Sequence, residues 1–568
     1  MPAARYQFEP FILDVERHRL EREGREIALQ PKVFETLLYL IKHAPRVIPK
    51  SELLDALWPR QLVTEGVLTR CIKEMRDALD DDVRAPRYVR STPRVGYAFV
   101  AEVTPAARAG LLRTIAVLPF EPLVARERDE SLELGISDAL INRLSGVREL
   151  SVRPLSAVRR YAGGNHDPLA AGRELNVQTV IEGTLLRSGE GLRLNVRALR
   201  VADGVALFAA SFDQRFAGVF EIQDAICRRI ADSLALELTA AESARLTKHF
   251  SEDPGAYKSF LLGRLHLLKH TPEGDRNGIR YFEQAVAADP RYALAWAGLA
   301  DAYDSLGTLE PDQGHFAKAR EYALRALEID SDLVSALTCL AKLAWEHDWN
   351  WEAAEAHFRK AFEVGSGSAD VYVAYSDYCA FQGRSDEAIA AAGRALEIDP
   401  SSPYVNAILA QALHMAGLYE EAIAQADRTL AQAPGFAFAH LFRALPSLMS
   451  GRQGEAITHL QKASELSNRI DFAGGLGYAY AVAGRRDDAR NLLAQVEKDG
   501  APPIVLALIH HGLGDDERAM DLMEAAAKQR DWHVLLLAAE PALAKLGAHP
   551  RAALLLERIG ITRPRSNH

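Results

Sequence analysis

Residues 64–99, TEGVLTRCIKEMRDALDDDVRAPRYVRSTPRVGYAFV, decide how this chain is read. Thr64 suits a helix N-cap, and Glu65 is favourably placed in the first turn. Leu68, Ile72, Met75 and Leu79 recur at helical spacing and form one apolar stripe that must face a core. Gly66, Arg70, Lys73, Glu74 and Asp77 fall on the opposite face, with Arg76 near the boundary. After an acidic turn come two short β-type runs, joined by a Pro93-Arg94 tip and closed by Val95-Gly96-Tyr97. Long polar side chains on a helix can reach base edges, and a hairpin tip can enter a minor groove. The order makes double-stranded DNA the first expected partner. A merely solvated helix face would explain the helix alone, but not the arginines at 84, 87, 90 and 94 that follow it.

Upstream, Tyr6 to Leu13 and Glu26 to Leu29 read as short strands. Pro31 suits the first turn of a helix whose apolar positions, Val33, Phe34, Leu37, Leu38, Leu40 and Ile41, run to about residue 43. Ser51 with Leu53, Leu54, Leu57 and Trp58 gives a shorter helix stopped by Pro59. Segments through the whole of residues 1–103 are similar to one family: Leu29-Gln30-Pro31, Ser51-Glu52-Leu53-Leu54, Leu57-Trp58-Pro59, Ile72-Lys73-Glu74-Met75-Arg76 and Pro86-Arg87-Tyr88-Val89 through Gly96-Tyr97. The region resembles the OmpR/PhoB-type winged helix-turn-helix domain, in the form that opens CadC-like and HilA-like regulators. The resemblance implies DNA contacts from Arg70, Lys73, Glu74 and Arg76 on the helix, and from Arg90, Ser91 and Arg94 on the wing. Met75 replaces the usual leucine, a harmless change in a core. Glu74 and Asp77 stand where bases are common in the two-component members, which implies modest phosphate affinity.

The 568 residues exceed one core and suggest several domains. The net charge of −10 is unevenly spread: residues 1–103 carry 17 Lys+Arg and 16 Asp+Glu, so the acidity lies beyond them. That acidity limits non-specific adhesion to nucleic acid. Four separated cysteines, Cys71, Cys227, Cys339 and Cys379, form no zinc or disulfide pattern and fit a reducing cytoplasm. No apolar run has the length of a membrane span, and the first residues have no apolar signal core, so no membrane partner is expected. CadC-like proteins carry a span soon after the winged helix; residues 104–112 here read instead as a linker.

Residues 113–245 alternate strand and helix patterns, from Thr114–Phe120 through a hairpin around Ala202-Asp203-Gly204 to a helix over 220–238. This resembles the α/β TolB-like module, carried by TIAVLPF (114–120), Gly135 with Leu140 and Leu144, and Val180-Ile181-Glu182-Gly183. No activity follows from that likeness; a ligand pocket and a structural spacer are both open. In residues 253–568, Gly383, Gly417, Gly451, Gly484 and Gly514 are each followed five residues later by Ala388, Ala422, Ala456, Ala489 and Ala519. Their spacing of about 34 residues is the tetratricopeptide signature. It predicts an all-α solenoid of roughly eight helix pairs, a cap over 541–556 and a concave groove for a partner.

No nucleophile elbow, Walker lysine or zinc motif occurs, so no catalysis, metal or cofactor is expected. His510-His511 would face different ways on one helix, and Gly474-Gly475-Leu476-Gly477 has no strand before it. The expectation is a cytoplasmic, sequence-specific transcriptional regulator, by resemblance an activator. It would bind promoter DNA as a homo-oligomer, and its other regions would receive a signal, a regulatory protein or RNA polymerase. The alternative is an interaction scaffold with a degenerate winged helix.

Overall fold

The computed structural model describes the chain apart from residues 1–4, 9, 15–18, 23–24, 28, 45, 58–64, 83–85, 93–94, 102, 106–112, 125–129, 148–149, 164–165, 189–190, 216–218, 235, 237–242, 244–250, 252, 268–270, 310–312, 366, 468–469 and 562–568. Two compact units result, Met1–Leu112 and Arg113–His568.

In the first unit, β1 (Arg5–Phe8), β2 (Phe11–Asp14), β3 (Arg19–Arg22) and β4 (Arg25–Ile27) form an antiparallel meander. Helices α1 (Pro31–Lys42), α2 (Lys50–Leu57) and α3 (Glu65–Leu79) follow, with β5 (Ile48–Pro49) before α2. The hairpin β6 (Val89–Thr92) and β7 (Gly96–Phe99) pairs with β5 in the order β5-β7-β6. A Cβ on Gly96 would collide with the Ile48 carbonyl, so the Val-Gly-Tyr motif permits a close strand approach. The stripe Leu68, Ile72, Met75 and Leu79 is buried, as its spacing requires. The linker reading fails at its first two residues. Thr104 and Pro105 form β8, which pairs with Gln7 and Tyr6 of β1 and closes the first sheet. Two residues are too short to show a period of two, so this strand had no sequence signal.

In the second unit, β9 (Arg113–Val117) lies parallel to β11 (Leu150–Val152) and β12 (Thr179–Ser188). The short β10 (Glu121–Pro122) also pairs with β12. The meander β12, β13 (Gly191–Arg200) and β14 (Ala206–Arg215) completes a sheet of order β11-β9-β12-β13-β14. Helices α4 (Glu130–Leu144), α5 (Leu155–Val158), α6 (Pro168–Glu174) and α7 (Val219–Ser233) accompany it, the last shorter than the expected 220–238. Gly183 leaves room for the Phe120 ring, which joins two of the segments singled out in the sequence.

Sixteen helices, from Pro254–Leu267 to Asp516–Lys528, then make eight pairs. Gly383, Gly417, Gly451, Gly484 and Gly514 all have φ between 74° and 86°, the left-handed conformation that ends a helix at low cost in glycine. The five partner alanines are fully buried, because a larger side chain would push the paired helices apart.

The middle region and the repeats, expected as separate domains, form one body. Tyr257 Oη, on the first repeat helix, donates to Gly135 O of α4 at 2.8 Å, and a Cβ on Gly135 would strike Leu261. Arg264 pairs with Asp138 of α4 at 3.2 Å. The 2%-exposed Arg153 donates to four carbonyls: Leu175 and Asn176 beyond α6, and Glu397 and Ile398 ending helix Ser385–Ile398, at 2.7–2.9 Å. One guanidinium therefore satisfies the ends of two helices and complements both dipoles. At the far end, Trp532, Glu540, Ala542 and Ile559 meet Phe381, His414, Tyr478 and Trp351. The chain's own end thus covers part of the expected groove.

Two outcomes check this architecture. Arg153→Ala strands four helix-end carbonyls and should destabilise the second unit by about 1.5–3 kcal/mol, read by urea unfolding. Hydrogen exchange should rise at 175–176 and 397–399 together; a rise on one side alone would break the assignment.

Candidate nucleic-acid interface

Two side chains fix the geometry between α3 and the hairpin. Arg76 turns inward, only 8% exposed, and its Nη2 donates to Val89 O at 2.7 Å and to Ser91 Oγ at 3.0 Å. Asp81, also 8% exposed, accepts from the backbone N–H of Arg87 and Tyr88 on Oδ1, at 2.7 and 3.2 Å. Its Oδ2 accepts from Val89 N at 2.8 Å. Val89 is therefore gripped by both of its backbone polar groups, and β6 leaves the helix end along one fixed path. Asp80 has φ of 54°, the left-handed position at which α3 stops.

This corrects the reading of Arg76 as a residue that reaches DNA: its hydrogen bonds tie helix to hairpin. Its boundary position on the helical wheel left either side open, and only the wing decided which. Asp81 was not singled out by sequence at all. An aspartate in an acidic turn reads as a solvated charge, and the three N–H groups it accepts from are assembled only by the hairpin.

Outward, Gly66, Val67, Thr69, Arg70, Lys73 and Asp77 are exposed on α3, and Arg90 and Ser91 on β6. Arg70 Nε donates to Glu74 at 2.9 Å, one turn along, with 82% of the Arg70 side chain accessible. Val67, at 39%, is an apolar member of this face that charge-seeking overlooked. Arg94 and Pro93 lie outside the described residues, as do Thr64 and Arg84. Among the described residues no group of three or more His, Cys, Asp or Glu is placed to hold a metal ion. His511 instead bonds to Asp516, and Gly474 and Gly477 pack inside a repeat helix against Leu508 and Ile509.

Family models match in the same order as these elements. The model described as transcriptional regulatory protein, C terminal, covers residues 24–99. The chain carries an OmpR/PhoB-type DNA-binding domain. The HilA/YgeH-like transcriptional regulator second domain matches residues 111–229, and tetratricopeptide models match 340–403 and 380–445. The transcriptional regulator HilA of Salmonella typhi is 26% identical over 407 residues, 70% of this chain and 71% of that protein. The transcriptional activator CadC of Escherichia coli is 33% identical over 87 residues, 15% of this chain and 17% of its own. The sensory transduction protein RegX3 of Mycolicibacterium smegmatis is 30% identical over 89 residues, 16% and 39% respectively. The chain is a DNA-binding transcription regulator, homologous to HilA along most of its length and to CadC in the DNA-binding domain. No described helix is long and apolar enough to cross a membrane.

Arg76→Ala should lower the stability of the first unit by about 1.5–3 kcal/mol, the worth of hydrogen bonds from a charged group. Lys73→Ala, a change on an exposed face, should stay within about 0.5 kcal/mol. Urea titration of both variants reads the contrast; equal losses would remove the assigned roles.

Proposed function

We propose that α3 enters the major groove of promoter DNA and that β6, β7 and the hairpin tip follow the neighbouring backbone and minor groove. The observation that supports this is the outward face of Val67, Arg70 and Lys73 beside Arg90, on a helix tied to its hairpin through Val89. Arg70 is the candidate base reader, since a guanidinium matches the guanine edge bidentately. Glu74 pre-orders it through their ion pair, and as an anion it suits a cytosine amine better than a phosphate. Lys73 and Arg90 are the phosphate candidates, Ser91 a hydrogen-bonding one, and Val67 a surface for a thymine methyl. Arg94 is proposed from the sequence as the minor-groove residue of the tip.

One such module buries limited area on DNA, so a homo-oligomer on repeated half-sites is the proposed binding form. The second unit is the proposed receiver of a signal, passing it to RNA polymerase or a regulatory protein in the cytoplasm. The HilA and CadC likeness supports activation as the sign of control, with no catalysis by the chain itself. The domain divisions at 103, 113 and 253 serve this division of labour, with the last two regions acting as one body.

Selection of genomic fragments by the full-length protein should return a recurrent motif that disappears in Arg70→Ala/Lys73→Ala. For Lys73→Ala alone, the slope of log affinity against log salt should fall by about one, the signature of one lost phosphate contact. An unchanged slope assigns Lys73 elsewhere. No motif from folded protein would favour the scaffold reading.

A further inference from the structure

Three consecutive inner helices of the solenoid bring an excess of carboxylates together. Asp301 and Asp304 lie on helix Ala293–Leu309, Lys342 and Glu346 on Val334–Glu346, and Asp370 and Asp377 on Ala369–Phe381. Lys342 Nζ pairs with Asp304 Oδ2, while Asp304 Oδ1 is buried with no partner. Glu346 is 8% exposed and makes neither a hydrogen bond nor an ion pair; the charges facing it are Lys342, Asp304 and Asp377. Asp301 faces Asp304, Arg264, Lys342 and Asp370. Arg264 is already paired with Asp138. Five carboxyl groups thus share one ammonium and part of one guanidinium.

Repeat packing does not call for this charge. The helices 334–346 and 369–381 have the same length, and the residue in the second that corresponds to Glu346 is Phe381, a buried aromatic. An unpaired buried carboxylate costs several kcal/mol relative to a packed apolar side chain (order of magnitude). The group is also reachable from solvent: the Lys342 side chain is 32% accessible, and Asp301 and Asp377 are half-buried. On the next inner helix Tyr404, at 41% exposure, has Asp377, Lys342 and Glu346 as its charged neighbours. Its ring offers a face for a cation.

We propose that this inner acidic surface binds a linear polyvalent organic cation, with ammonium or guanidinium groups spaced along a flexible chain. Adjacent packed helices stand about 8–10 Å apart, so carboxylates on three of them lie too far apart to share one ion. No metal-holding group of three such residues occurs among the described residues. A chain of several cations can answer Glu346, Asp304 and Asp377 in turn. Burial pushes the carboxyls of Asp301 and Asp377 up to about 7, and that of Glu346 upward as well. These groups are therefore charged above neutral pH and protonated below it, and cation binding strengthens as pH rises. This site is independent of the DNA-binding face.

The test is calorimetric titration of the full-length protein with spermine and, separately, with a tetralysine peptide, at matched ionic strength. The expected result at pH 8 is saturable one-to-one binding, at least ten-fold weaker at pH 5.5 and at least ten-fold weaker in Glu346→Gln/Asp377→Asn. Asp487→Asn/Asp488→Asn, on the exposed first turn of helix Arg486–Lys498, should bind like the parent. Saturation by spermine assigns a free polyamine, and saturation by the peptide alone assigns basic side chains of a partner segment. Equal binding by the inner double variant identifies general surface attraction and overturns the proposal, as does no saturation by either probe. Should the double variant fold poorly, Asp301→Asn provides the same comparison.

Discussion

The grip on Val89 is the constraint on which the DNA-facing geometry depends. Its N–H goes to Asp81 and its C=O to Arg76, so the backbone that starts the hairpin is anchored to the end of α3 by two buried charged groups. Hydrogen bonds from ionised groups are the stronger kind, and both side chains are nearly free of competing water. A hairpin fixed in this way holds Arg90 and Ser91 at a set distance from Arg70 and Lys73. Helix and wing can then meet one stretch of duplex together, instead of wandering independently.

A second arginine does corresponding work in the other unit. Arg153 joins the carbonyl ends of α6 and of helix Ser385–Ile398, while Ser156 donates to Asp399 beside it at 2.9 Å. Together with Tyr257 and Arg264 on the first repeat, these contacts make the middle region a wall of the solenoid. A ligand among the inner helices would meet the same rigid body that carries the mixed sheet. Packed bodies of this kind shift between discrete arrangements more readily than they bend, which is what a receiver region needs.

The inner surface is not uniform. Toward the chain end the segment 532–561 covers it with Trp532, Glu540 and their neighbours. Nearer the first repeats it carries Asp301, Glu346 and Asp377 without partners. The solenoid therefore offers one face already occupied by its own chain and one with unanswered charge.

Local physics wrote much of this into the sequence. The glycine-to-alanine spacing fixed the repeats, because a left-handed turn and a close helix contact each accept few residue types. The stripe Leu68, Ile72, Met75 and Leu79 fixed which face of α3 looks outward, and the quoted segments fixed the family of the domain. Tertiary structure decided the rest. Arg76 belonged to neither face until the wing supplied Val89 O, and Asp81 was one acid among three until the hairpin presented three N–H groups to it. The union of the middle region with the repeats rests on Arg153 meeting carbonyls 244 and 245 residues away, and on Gly135 meeting Leu261. Periodicity reports what a residue does along its own helix or strand. Which carbonyl, carboxylate or ring arrives from elsewhere is set only when the chain closes on itself.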